Sequence, residues 1–534
     1  MMLKQIEDYI DRYPGRIFLL FILLALPAFL INLGLLPLFA DEPTRSNVAL
    51  EMILSKNYAV PTIAGDYYYN KPPVYNWILA SLYLLFGSYS EFITRLPAVI
   101  PMLLFAVTIY ISVSYFIKDK RIAMLSGLFF LVNGRMLLYD SMLGHIDIFY
   151  SWLTFISFMS ILYFYQKKLW FMLFFVSYLI TSITFLSKGL PSIVFQGFTL
   201  IAFLTYTRNF KKLFSWQHIV SGLLCLLIIG AYFYNYSRFN ANLEGYFSTI
   251  WDQSSQRTAI RTGFWYSIKH IISFPFEHIV HLLPASLLLV FCLNKNFIQG
   301  IRKNEFLLFC SVTFLANIWV YWLSPETRPR YLLMLYPFLF IIWSHAYYTY
   351  KDKYPKLNRV FEKTLLIIAV LVTLAVCAPL FIGMNAYVSA LPIKVFTVFI
   401  GCALFTYLIF NFERHQLLAF VGLLIMVRLA FSFFVLPHRF QNNEGQYYKT
   451  ASVEMAKISK GSTFYFYHFD PPVYSIPFYH RLVFYIERER MNIIQTTEAD
   501  TKPGYYLTFD RDLNNPQAVL VKTYENNLKL FKVK

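Results

Sequence analysis

The chain has 534 residues, 57% of them hydrophobic and only 14% charged, with a mean hydropathy of +0.50. That balance excludes a water-soluble globular protein and implies a polytopic membrane protein. The formal net charge of +18 invites a polyanionic partner, but the basic residues sit in alternate loops along the chain, so the charge is topology and no nucleic-acid role follows.

Taken at roughly 20 residues each, thirteen spans are predicted, near 16–38, 94–116, 122–139, 146–165, 169–187, 189–207, 217–236, 276–293, 304–323, 330–350, 364–383, 393–411 and 416–436. The first follows Lys4, Arg12 and Arg16 and has no small-residue cleavage site, so it reads as a retained helix. Every second connection is basic: Lys118, Lys120 and Arg121; Lys167 and Lys168; Arg208, Lys211 and Lys212; Lys295, Arg302 and Lys303; Lys351 to Lys363; and Arg414. These loops lie on the side of the N-terminus, which the positive-inside rule makes cytoplasmic; the odd span count then puts the C-terminal segment outside. All five cysteines fall in apolar stretches without paired spacing and read as small buried hydrophobes.

The unusual connections are on the opposite face. The first, ADEPTRSNVALEMILSKNYAVPTIAGDYYYNKPP (40–73), opens with Asp41 and Glu42. Pro43 suits a first helical turn, so residues 42–55 read as a helix with Asp41 at its positive end and Arg45 one turn on. Val48, Ala49 and Met52 continue as an apolar stripe, which predicts a helix lying along the membrane surface. The segment ends in Tyr67, Tyr68, Tyr69 and a lysine, Lys71, stiffened by Pro72 and Pro73. Residues 74–87 are apolar but short, predicting a second interfacial helix, and 237–275, with Arg238, Arg257, Arg261 and His270, predicts another that covers a site.

Ionisable groups at membrane depth are costly, so they are the first candidates for chemistry. Each also has a plain structural reading: Asp41 and Glu42 as a helix cap, Lys71 and the pair Arg328 and Arg330 as snorkelling cations, Lys188 as the mark of a short turn. The turn YDSMLGHID (139–147) gathers Asp140, His145 and Asp147, with Asp147 entering the membrane. Its spacing matches no standard metal-ligand pattern, and no cofactor or metal site is predicted. His278 and His281 read as core histidines. From Pro437 onward the pattern changes: 462–469, 481–488, 505–509 and 518–524 read as strands and 447–459 as a helix. The predicted organisation is a transmembrane domain, 1–436, and a small α/β soluble domain, 437–534.

DEPTR (41–45), EM (51–52), VPTIAGDYYYNKPPVYNW (60–77), FG (86–87), RLPA (95–98), HID (145–147), LSKG (186–189) and SPETRPRYLLMLYP (324–337) follow one another in an order that resembles the GT-C membrane glycosyltransferases. The resemblance is to glycosyltransferase family 39, the dolichyl-phosphate-mannose protein mannosyltransferase-like enzymes, in its bacterial aminoarabinose-transferase-like branch. Two positions depart from it. Asn70 stands where that branch often has an acidic residue able to help hold a divalent metal, and Ser46 where a tyrosine often follows the first-loop arginine.

The resemblance implies transfer of a sugar from a polyprenyl-phosphate carrier to an acceptor on the outer face of a bacterial inner membrane, with inversion at the anomeric carbon. The acceptor would be lipid A, another envelope glycoconjugate or a protein Ser/Thr hydroxyl. Charge develops on a phosphate at the head-group plane, where Lys71, Arg328, Arg330, Lys188 and Arg257 are the candidate cations. Asp41, Glu42 and Asp147 are the candidate catalytic carboxylates, and Arg45, Tyr69, His145 and Asp140 the candidate substrate contacts. The rival is a membrane transporter or a flippase of lipid-linked glycans. A half-repeat and midplane charges would mark it, and the sequence has neither.

Overall fold

The structure is a computed structural model and describes residues 2–255, 263–468 and 476–534. Arg257 and Arg261 lie outside the described residues, as does Phe469 at the end of the expected strand 462–469. The chain forms two compact units, one of residues 1–33, 98–229 and 251–441, the other of residues 34–97, 230–250 and 442–534.

Among the described residues eight helices are long and apolar enough to cross a membrane, or eleven if each of three bent pairs is one span. Two of the thirteen expected spans fall short. Residues 189–207 hold the 16-residue helix Pro191–Tyr206, and residues 330–350 the 15-residue helix Tyr336–Tyr350. Helices of that length rise about 24 Å, less than the ~30 Å of a hydrocarbon core. In the first unit the starts follow ordinary capping chemistry. The Asp119 carboxylate accepts from Arg121 N–H at 2.9 Å, and the Asn304 side chain accepts from the N–H groups of Phe306 and Leu307. Close packing is seen at Gly127, where a Cβ would stand 2.7 Å from the Ala106 carbonyl oxygen; only glycine lets these helices approach so far.

The second unit is built on two small sheets. Strands β1 (Thr62–Ile63) and β2 (Asp66–Tyr67) form a hairpin whose turn, Ala64 and Gly65, has φ of +54° and +77°. The larger sheet contains β3 (Phe464–Tyr467), β4 (Gln495–Thr497), β5 (Gly504–Phe509), β6 (Val519–Thr523) and β7 (Leu528–Val533), in the order β4-β3-β5-β7-β6. β3 pairs in parallel with β4 and β5, and the remaining pairs are antiparallel. Phe464 and Phe466 enter one core cluster, Tyr465 and Tyr467 another, so β3 is buried on both faces.

Residues 481–488, expected as a strand, are helical within Ile476–Arg490. Leu482 through Ile486 are all fully buried, so the segment shows an unbroken apolar run in place of a helical period. The Glu42–Ser55 helix forms as expected with Asp41 at its N-cap, but its apolar stripe does not lie on a membrane surface. Val48 and Met52 pack in one core with Tyr448, Met455, Leu482, Ile486 and Ile494. The connection 39–93 and the C-terminal segment therefore fold around shared apolar side chains.

Candidate active site

The first unit buries two cations against one carboxylate. Asp147 stands in the first turn of the helix Ile146–Gln166, and Lys188 is the last residue of Trp170–Lys188, where Gly189 at φ +89° ends the helix. Arg330 lies on the single 3₁₀ turn Pro329–Leu332. Lys188 Nζ is 2.5 Å from Asp147 Oδ1, and Arg330 Nε is 3.1 Å from Asp147 Oδ2, with all three side chains buried. The ammonium also lies over the rings of Tyr150 and Tyr331, 4.7 and 4.5 Å from their centroids. Such contacts stabilise a desolvated cation by about 2 kcal/mol.

These three groups carry one surplus positive charge. The neighbouring turn does not cancel it, because Asp140 is held bidentately by Arg135, at 2.9 and 2.7 Å. Asp140 is thus an ion-pair partner where a substrate contact was expected, and Arg135 was not singled out from sequence. His145 is buried at the N-cap of the Asp147 helix. Of the two arginines in 324–337, Arg330 joins the cluster, while Arg328 is exposed at the start of the turn.

The second unit holds the other candidates. Asp41 is exposed, whereas Glu42 through Met52 are buried or nearly so, and no side-chain capping bond occupies it at the helix start. Glu42 faces inward. Arg95 meets it with Nε at 2.8 Å and Nη2 at 3.0 Å, and the Phe39 N–H donates to it at 2.8 Å. A carboxylate so engaged fixes the helix start.

Arg45 donates to the Tyr68 hydroxyl at 2.8 Å through Nη2, while its Nη1 is buried without a hydrogen-bond partner among the described residues. Burial pushes the Tyr68 phenol above its ordinary range, so it is protonated at neutral pH. Tyr69 is half-buried, edge-on to Tyr246 at 6.0 Å, and its hydroxyl accepts from Asn240 at 3.2 Å. Lys71 is half-buried and follows this aromatic group.

Two further features escaped sequence reasoning. Glu51 accepts from the N–H groups of Ala64 and Gly65, at 2.5 and 3.2 Å, and so ties the hairpin turn to the helix; its carboxyl also meets that of Glu487. His480 sits against Thr44, with Nδ1 2.8 Å from the hydroxyl oxygen. The pairings of Glu51 with Glu487 and of Thr44 with His480 have no local signal, since each joins residues more than 400 apart. Among the described residues no group of three or more His, Cys, Asp or Glu side chains is gathered as a metal site.

This geometry has relatives. Residues 70–234 match the family model described as dolichyl-phosphate-mannose-protein mannosyltransferase. The structure is similar to the crystal structure of ArnT from Cupriavidus metallidurans bound to undecaprenyl phosphate, with a TM-score of 0.68, 17% identity and coverage of 96% of this chain and 97% of that one. The chain has the GT-C glycosyltransferase fold of the ArnT kind. The apo ArnT structure from the same organism gives a TM-score of 0.65 at 16% identity, covering 97% and 98%. A curated relative, undecaprenyl phosphate-alpha-4-amino-4-deoxy-L-arabinose arabinosyl transferase 2 of Proteus mirabilis (strain HI4320), is 31% identical over 91 residues. That match spans 17% of this chain and 16% of the relative's length. The multi-pass helical fold expected from the sequence is thereby borne out, small C-terminal sheet included.

Proposed function

We propose that this protein is an inverting glycosyltransferase of a bacterial inner membrane that moves a sugar from a polyprenyl-phosphate donor to an acceptor outside the cytoplasm. The N-terminus is cytoplasmic, and residues 437–534 form the extracytoplasmic domain. One observation carries the reading: Lys188 and Arg330 are buried around the carboxylate of Asp147. Such a cluster suits a dianionic phosphate at the membrane interface. The ArnT fold supports a polyprenyl phosphate as the carrier, since ArnT was crystallised with undecaprenyl phosphate.

In the proposed reaction an acceptor oxygen attacks the anomeric carbon as the bond from that carbon to the phosphate oxygen breaks. Polyprenyl monophosphate leaves, and the acceptor proton passes to Asp41. Lys188 and Arg330 stabilise the charge that builds on the leaving phosphate, more strongly than they bind the neutralised ground state. Asp147, a candidate catalytic carboxylate from the sequence, holds both cations in place in a positioning role. Lys71 is a further phosphate cation, and Arg45 offers its unpartnered Nη1–H to substrate.

The test is mass spectrometry of lipid A and envelope glycoproteins from cells with and without the gene. Loss of one sugar from one acceptor, restored by the wild-type gene and not by Asp41→Asn, identifies donor and acceptor together. Unchanged glycans with a redistributed small molecule would make the protein a transporter.

A further inference from the structure

The first turn of the Glu42–Ser55 helix places Asp41, Thr44 and Arg45 on one face, since residues three and four apart are neighbours on a helix surface. What lies against that face comes from the far end of the chain. The helix Ile476–Arg490 presents His480, whose Nδ1 is 2.8 Å from the Thr44 hydroxyl oxygen and whose carbonyl oxygen accepts from Asn47 Nδ2 at 2.6 Å. The imidazole is 9% exposed and the Thr44 side chain is buried. One residue is thus bonded to the same helical turn twice, by its ring and by its backbone.

The charges around the ring come from that turn. Arg45 disfavours a proton on the imidazole and Asp41 favours one. Burial outweighs both and pushes the histidine down to about 4, so His480 is neutral at any pH a bacterial envelope tolerates. A neutral ring bonded at Nδ1 has a fixed plane, and the Thr44 hydroxyl satisfies either tautomer because it can donate or accept. It adds no charge beside Asp41, and a carboxylate next to a neutral ring keeps more of its basicity than one next to an imidazolium.

We propose that His480 is a positioning residue of the transfer reaction, holding through Thr44 and Asn47 the turn that carries Asp41, so that the C-terminal segment completes the catalytic machinery. The inference rests on the sugar-transfer reading for its kinetic consequence and on the structure alone for the anchor. The two parts are tested by different readouts.

Hydrogen exchange on the full-length protein in detergent reads the anchor without substrate. His480→Ala is expected to raise exchange at residues 41–47 at least tenfold, while His480→Asn, whose amide reaches Thr44 from about the place of Nδ1, restores protection. Transfer assays read the consequence. His480→Ala is expected to lower kcat at least tenfold with KM for the donor unchanged, Thr44→Val to do the same, and the double variant to be no worse than either single one. Unchanged exchange in His480→Ala overturns the anchor. Additive losses, or an effect on donor KM alone, overturn the positioning role. Wild-type protein that shows the exchange pattern but transfers no sugar would leave the anchor standing and sink the sugar-transfer reading instead.

Discussion

Glu51 and Glu487 meet carboxyl to carboxyl with neither side chain exposed, one on the Glu42–Ser55 helix and the other on Ile476–Arg490. Glu51 takes the backbone N–H groups of the hairpin turn, and Glu487 accepts from the Ile494 N–H at 2.9 Å. Burial raises Glu51 to about 7, and burial together with the charge of Glu51 drives Glu487 well above the carboxylate range. The pair therefore holds a proton at neutral pH that either group would lose in water.

The sign of the pH dependence follows. Both groups bind protons more tightly folded than unfolded, so the contribution is complete below about pH 4 and falls as pH rises, that of Glu51 being lost through about 7 and that of Glu487 at higher pH. For Glu51 this amounts to about 3 kcal/mol. Thermal unfolding in detergent should shift to lower temperature between pH 6 and pH 8.5, and Glu487→Gln, which keeps a hydrogen bond and removes the second charge, should flatten the slope. A wild-type melting temperature that rises over that range would contradict the assignment.

Stability and activity should separate at Lys188 and Asp147. Lys188→Met takes one buried cation from Asp147, and Asp147→Asn takes the carboxylate from both Lys188 and Arg330, each costing about 3–5 kcal/mol. The double variant removes one charge of each sign but still takes the Asp147 carboxylate from Arg330, so it should be more stable than Asp147→Asn alone while remaining at least a hundredfold less active. Recovery of transfer along with stability would show the pair to be purely structural.

The adjacent carboxylates Asp41 and Glu42 should behave as opposites. Glu42→Gln leaves the Arg95 guanidinium buried without its anion and should lower stability by about 3–5 kcal/mol. Asp41→Asn changes an exposed side chain, so melting should hold within about 0.5 kcal/mol while transfer falls by on the order of 10²–10⁴. Equal losses of stability in the two variants would remove Asp41 from the chemistry.

Much of this was legible in the chain. Pro43 and the two carboxylates located the start of a helix that forms at Glu42, and alternation in 505–509 and 518–524 marked strands β5 and β6. The ordered motifs pointed to the fold that the structure has. What was hidden is tertiary. The run Leu482–Ile486 is buried on all sides, so its β-branched and aromatic content imitated a strand and took Glu487 and His480 out of view as helix residues. The Arg95 partner of Glu42 lies 53 residues away, and Arg135, the partner of Asp140, reads as part of a span. Charge pairing over such separations leaves no periodic trace. The span count exceeded the structure's because an apolar run of about 20 residues need not be helical throughout, as Tyr336–Tyr350 shows.

The most direct measurement is made on purified protein in nanodiscs, given the lipid extract of cells lacking the gene and followed by mass spectrometry of polyprenyl lipids. The account predicts that one polyprenyl-phosphate-linked sugar is consumed, that polyprenyl monophosphate appears in equal amount, and that Lys188→Met and Asp41→Asn each suppress the conversion. A lipid-linked sugar that is moved across the bilayer with its phosphate bond intact, or a conversion that both variants perform at the wild-type rate, would contradict it.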